Sequence, residues 1–185
     1  MATTAHVVIT FGRFNPPTIG HEKLIKATAK IAGTDNYFIY TGHTQDKKKN
    51  PLESSVKVDY MKRMFKSHAA HIMYDPTLKT LIQILQHLQE THQELTLVVG
   101  SDRVSEMETL INKYNGTEYA FRTLTVRSAG ERDPDADGAE GMSASKMRAA
   151  ALAGDAAAFR KGVPSTLTDA ETTALMRLVV AGLTK

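Results

Sequence analysis

Cysteine is absent from this chain. That excludes disulfides and thiolate metal sites and agrees with a cytoplasmic setting. No apolar run approaches the length needed to span a bilayer. The start, Met1-Ala2-Thr3-Thr4-Ala5, has neither the charged nor the apolar part of a secretion leader. A strong charge of either sign is also missing. The net charge is +3, with Lys and Arg spread along the chain, so a nucleic-acid partner is not expected. His6, His43, His68, His71, His87 and His92 have no tight metal-ligand spacing. The acids between 128 and 141 do not match a calcium loop, so no metal ligands are assigned. There is no internal repeat. What remains is a chain of 185 residues, 42% hydrophobic and 23% charged. That composition fits one soluble globular domain spanning 1–185, with a core of useful size.

The most informative stretch is Gly12-Arg13-Phe14-Asn15-Pro16-Pro17-Thr18-Ile19-Gly20-His21. An apolar run from His6 to Phe11 precedes it and reads as a buried strand. Glu22 to Ile31 follows with apolar residues at helical spacing. The decapeptide is therefore a strand-to-helix crossing. Gly12 is expected to turn the chain at the strand end, and the two prolines stiffen the loop. Thr18 is expected to cap the helix and leave free amides at its positive end. Free amides there, with His21 on the first turn, suggest a site for a phosphate chain.

The remaining chain alternates strands and helices. Strands are expected at 35–40, 71–74, 95–99 and 119–126. Helices are expected at 52–65, 78–91 (capped by Thr77), 104–114, 143–153, 155–160 and 169–183. Residues 128–141, rich in Gly, Asp and Glu, read as a mobile loop. The alternation predicts an α/β fold, a Rossmann-like open parallel sheet with helices on both faces and helices closing the C-terminus. Ligands of such sheets bind beyond the carboxyl ends of the strands. Gly12, Thr41-Gly42 and Gly100-Ser101-Asp102 stand at those ends.

Gly100 allows close backbone approach, and Asp102 can accept from ribose hydroxyls, although Ser101 or Asp102 can equally cap the next helix. Met142-Ser143-Ala144-Ser145-Lys146-Met147-Arg148 sets two hydroxyls at a helix start, with Lys146 and Arg148 as cations close behind. Cations there oppose the helix dipole unless an anion is bound. Lys47, Lys48 and Lys49 share a polar loop, which is usually a solvated face.

These motifs resemble those of the nucleotidyltransferase superfamily. Gly12, Phe14, Pro16, Thr18, Gly20 and His21 match its first signature position for position. Arg13 is similar to the archaeal-type nicotinamide mononucleotide adenylyltransferases. Thr18 in the first histidine slot is similar to phosphopantetheine adenylyltransferases. Ser143 and Arg148 match the second signature, in which Met142 and Ser145 replace isoleucine and threonine. The stretch 130–148 resembles small members carried by bacteriophages, which would place the protein in a host cytoplasm. The resemblance implies transfer of AMP from ATP to a small phosphorylated acceptor with release of pyrophosphate. In it His21, Thr18 and Arg148 act on the phosphates. Gly12, Arg13, Phe14, Gly20, Lys47, Gly100, Asp102, Ser143, Ser145 and Lys146 line the nucleotide. Mg²⁺ is held by phosphate and water rather than by protein ligands. A homo-oligomer, a cytidylyltransferase, and a nucleotide-binding module without catalysis remain compatible with the sequence.

Overall fold

The computed structural model describes residues 5–130 and 142–185. The chain forms two compact units. The first takes Met1–Gly12, Leu24–Gly42 and Asp75–Arg132, and the second takes Arg13–Lys23, His43–Tyr74 and Asp133–Lys185.

The first unit is built on a parallel sheet in the order β2-β1-β3-β4, from β1 (His6–Gly12), β2 (Asn36–Thr41), β3 (Glu94–Val99) and β4 (Thr123–Ser128). The central strands are near-continuous apolar runs, as strands buried on both faces must be. Val7, Val8, Ile9, Leu97 and Val98 are fully buried. The edge strand β4 alternates instead: Leu124 and Val126 are buried, while Thr123, Thr125 and Arg127 are exposed. Helix α1 (His21–Ala32) sets Leu24, Ala27 and Ile31 into a cluster with Val8 and Val98. Helix α3 (Leu81–Leu88) buries Leu81, Ile84, Leu85 and Leu88, and α4 (Val104–Lys113) buries Met107 and Ile111. Among the described residues no buried side-chain nitrogen or oxygen lacks a partner. Thr10 Oγ1 donates to the Val98 carbonyl at 2.8 Å, and the His6 ring bridges Asp35 and Thr96, 2.8 Å from each. Strand order reverses between β1 and β3, whose carboxyl ends are Gly12 and Val99.

The second unit holds α2 (Ser54–Met64), α5 (Ala144–Ala153), α6 (Ala156–Lys161) and α7 (Asp169–Thr184). Met61, Met147, Phe159, Leu175 and Val179 form its fully buried centre. Helix α7 opens with a capping box between Thr168 and Glu171. Near its end, a Cβ on Gly182 would come within 2.0 Å of the Pro51 carbonyl oxygen, so only glycine fits there. Among the described residues no helix is long and apolar enough to cross a membrane.

Four local expectations need correction. Residues 71–74 do not form a strand of the sheet: Lys66–His71 is a 3-10 turn. Thr77 does not cap a helix, because its amide and hydroxyl both bond to Asp75. Thr80 caps α3 through a box with Gln83. Helix α2 begins at Ser54 rather than at 52, since the Leu52 amide is taken by the Asn15 side chain at 2.8 Å. The last strand begins at Thr123. Tyr119 and Phe121 precede it in a turn, where Phe121 bonds the Asn115 side chain and the Tyr119 hydroxyl donates to the Ile111 carbonyl. Of the loop expected at 128–141, the part from 131 to 141 lies outside the described residues.

Candidate active site

The decapeptide leaves β1 without turning at Gly12. Gly12 is the last strand residue, and its carbonyl accepts from the Gly42 amide at 3.0 Å. The turn comes two residues later, where Phe14 takes a positive φ of 47°. A bulky residue is rarely held in that region unless its surroundings fix it. Phe14 is 2% exposed and packs its ring edge-on against His21, with centroids 4.8 Å apart at 78°. Phe14 is thus not a nucleotide-lining side chain. It is a wall that fixes the plane of the histidine.

Thr18 is not the helix cap either. It is 1% exposed, and its hydroxyl accepts from the Gly20 amide at 3.1 Å. Its own amide donates to His21 Nδ1 at 2.9 Å. An amide can only donate, so Nδ1 is the acceptor and the imidazole proton sits on Nε2. The remaining amides of this corner are also used. Ile19 bonds to the Gly162 carbonyl at 2.8 Å, His21 to Thr18 at 3.0 Å, and Glu22 to Ile19 at 3.1 Å. The five amides from Thr18 to Glu22 therefore all have acceptors. In place of the expected row of free amides, the corner holds one imidazole oriented through its Nδ1. Thr18 and Gly20 act by building that corner.

Three side chains hold the backbone just upstream. Lys57, 1% exposed, donates from Nζ to the Arg13 carbonyl at 2.6 Å. The buried Asn15 side chain clasps Leu52, accepting from its amide at 2.8 Å and donating to its carbonyl at 3.2 Å. Arg148 donates to the Asn15 carbonyl at 2.9 Å and to Ser145 Oγ at 3.2 Å. A cation early in α5 thus has a carbonyl partner and does not depend on an anion for its place. Burial lowers the Arg148 pKa, the guanidinium of Arg13 lowers it further, and Asp46 acts against both. Burial likewise pulls the Lys57 ammonium down, to about 8.

Asp46 organises the loop that carries the three lysines. Its carboxylate accepts from the amides of Lys48, Lys49 and Asn50 and from the Asn50 side chain, at 2.8 to 3.2 Å. The Lys49 amide, then the Asn50 side chain and the Lys48 amide, hold it well below the usual carboxylate range. Lys47 stands exposed on this ordered turn. At the start of α5, the Ser143 hydroxyl caps the Lys146 amide at 3.2 Å, and Ser145 and Lys146 are exposed.

The second unit therefore contains Arg13, Phe14, Thr18, Gly20, His21, Lys47, Ser143, Ser145, Lys146 and Arg148. Gly12, Gly100 and Asp102 belong to the first. There, Asp102 folds back so that a Cβ on Gly100 would meet its Oδ1 at 2.8 Å. The N-cap of α4 is Arg103, whose side chain makes no capping bond. Among the described residues no three His, Asp or Glu side chains converge on a point that could hold a metal. Asp46 and Lys57 were not expected to matter, and Asn15 was read only as part of the decapeptide. Lys57 had a readable signal: Ser54, Lys57, Val58, Tyr60, Met61 and Met64 are the buried residues of α2, and a lysine is the odd member of that set.

The chain is 29% identical over 106 residues to the "Probable nicotinate-nucleotide adenylyltransferase" of Sulfurimonas denitrificans, a match that covers 52% of this chain. It spans 56% of that relative's length. A model of the cytidylyltransferase-like family matches residues 9–150, from the middle of β1 into α5. The matched stretch contains both signatures, and the chain belongs to the cytidylyltransferase-like family.

Proposed function

We propose that this chain transfers AMP from ATP to the phosphate of a pyridine mononucleotide and releases pyrophosphate. One observation carries the reading. His21 is locked as an Nε2–H donor in the same unit as Arg13 and Arg148, two guanidiniums close enough for one to depress the other's pKa. Like charges so placed repel, and a phosphate chain relieves the repulsion. The family and the adenylyltransferase relative support the same chemistry.

In this reaction the acceptor phosphate attacks the α-phosphorus in line and pyrophosphate leaves. No protein nucleophile is needed, so catalysis is positioning plus stabilisation of charge on the phosphate oxygens. His21 donates from Nε2 to oxygens on which charge develops. Arg13 and Arg148 hold the triphosphate, and Ser143, Ser145 and Lys146 add donors at the start of α5. Lys47 adds charge from the turn set by Asp46. The described residues offer no Mg²⁺ cage, and no step here is routed through a protein-held metal. The ion belongs to the MgATP substrate.

Pyrophosphate release tests the reading. Each of the four nucleoside triphosphates is paired with nicotinate mononucleotide, nicotinamide mononucleotide, phosphopantetheine and phosphorylated alcohols. ATP with a pyridine mononucleotide is the expected productive pair. A productive CTP pair, or no release with any pair, would overturn it.

A further inference from the structure

We propose that Lys57 is a positioning residue for nucleotidyl transfer: from inside α2 its ammonium pins the Arg13 carbonyl and so fixes the backbone that orients Phe14 and His21. This rests on the site described under Proposed function and adds a residue that neither signature contains. The side chain is 1% exposed, among the largest fully buried side chains of the protein. Its Nζ lies 2.6 Å from the Arg13 carbonyl oxygen.

Burying an ammonium is costly, and an apolar side chain of similar volume commonly stabilises such a position. Beside the other buried residues of α2, Ser54, Val58, Tyr60, Met61 and Met64, methionine would pack as well. What methionine could not do is hold that carbonyl. The carbonyl precedes the only non-glycine residue with positive φ among those described, Phe14, whose ring is the wall for His21. The next clamps follow at once, Asn15 to Leu52 and Arg148 to the Asn15 carbonyl. Release of the first clamp frees the Arg13–Phe14 peptide to rotate. Phe14 can then leave its positive φ, and the imidazole loses its edge contact. Lys57 touches no reacting atom in this scheme. It acts through the peptide backbone.

The test compares wild type with Lys57→Met by amide hydrogen exchange without ligand, thermal midpoint, and steady-state pyrophosphate release. Loss of one charge-assisted hydrogen bond at the loop predicts exchange of the amides from Thr18 to His21 at least about tenfold faster. The thermal midpoint should equal or exceed wild type. The kcat should fall at least about tenfold while KM for ATP changes by less than about threefold. Exchange equal to wild type overturns the proposal, as does an unchanged kcat. Should Lys57→Met fail to fold, Lys57→Gln replaces it, since its nitrogen stops one bond short of Nζ. Faster exchange at the same four amides supports the proposal, and unchanged exchange overturns it. If wild type releases no pyrophosphate with any acceptor, the functional reading fails on its own. The exchange comparison then still decides whether Lys57 holds the loop.

Discussion

The buried ammonium of Lys57 makes folding stability depend on pH in an unusual direction. In the unfolded chain a lysine titrates near 10.5, and in the fold burial lowers this to about 8. Between those values the unfolded state holds the extra proton, so stability rises with pH across the window. Below about pH 8 the full cost is present, about 3 kcal/mol for a shift of this size. Between pH 7.5 and pH 9.5 the two-state linkage relation returns about 2 kcal/mol of it. Tyr40 and Tyr119 act the other way at higher pH. Their pKa values are pushed up to about 12, chiefly by burial, so above pH 10 the unfolded chain ionises first. The comparison therefore stops at pH 9.5. Urea unfolding of wild type and Lys57→Met at both pH values isolates the effect, because every other titrating group is common to the two proteins. With a urea slope of about 2 kcal/mol/M, the wild-type midpoint should gain about 1 M relative to the variant. Parallel pH dependence in the two proteins would refute a buried, charged Lys57.

Three further outcomes are expected. His21→Ala should lower turnover by about 10² to 10³ while leaving the thermal midpoint within a few degrees, because one oriented donor is lost from a half-exposed side chain; steady-state kinetics and calorimetry measure both. Asn15→Ala should destabilise the fold by about 2–3 kcal/mol in urea unfolding, since it strands the buried Leu52 amide and carbonyl together; a loss below about 0.5 kcal/mol would show that the clasp is not needed. Asp46→Ala should accelerate tryptic cleavage after Lys47, Lys48 and Lys49, because three backbone amides lose their common acceptor; equal cleavage rates would show that the turn is held by something else.

The sheet was legible because period and length carry it. β1, β2 and β3 lie within a residue or so of the strands expected from apolar runs. The exceptions have physical causes outside any local window. Tyr119 and Phe121 look like strand residues, yet their hydrogen bonds go to Ile111 and Asn115, so β4 starts later. Ile72 and its neighbours lie in a stretch dominated by a 3-10 turn, and at most six residues were available to signal it. Thr77 and Thr80 both have the right chemistry to cap, and Asp75 decides between them by taking Thr77 first.

The two motifs were legible as stretches of sequence, and Arg13 to His21 and Ser143 to Arg148 lie in the same unit. The bonds that hold them were not, because hydrogen-bond partners distant in sequence are invisible to spacing. The Ile19 amide finds Gly162, and the Arg148 guanidinium finds the Asn15 carbonyl, 133 positions away. These partners consume the donors that a helix start was expected to offer an anion. The same bonds explain what takes their place. With the corner's amides satisfied internally, the backbone has little left to give a phosphate, and under the proposed function recognition passes to side chains whose orientation the backbone fixes. His21 owes its tautomer to the Thr18 amide and its plane to Phe14, and Phe14 owes its turn to the clamps at Arg13 and Asn15. Substitution of Phe14 or Lys57 is therefore expected to change kcat before it changes affinity, because under the proposed function Arg13 and Arg148 still hold the triphosphate while the aim of the imidazole is lost.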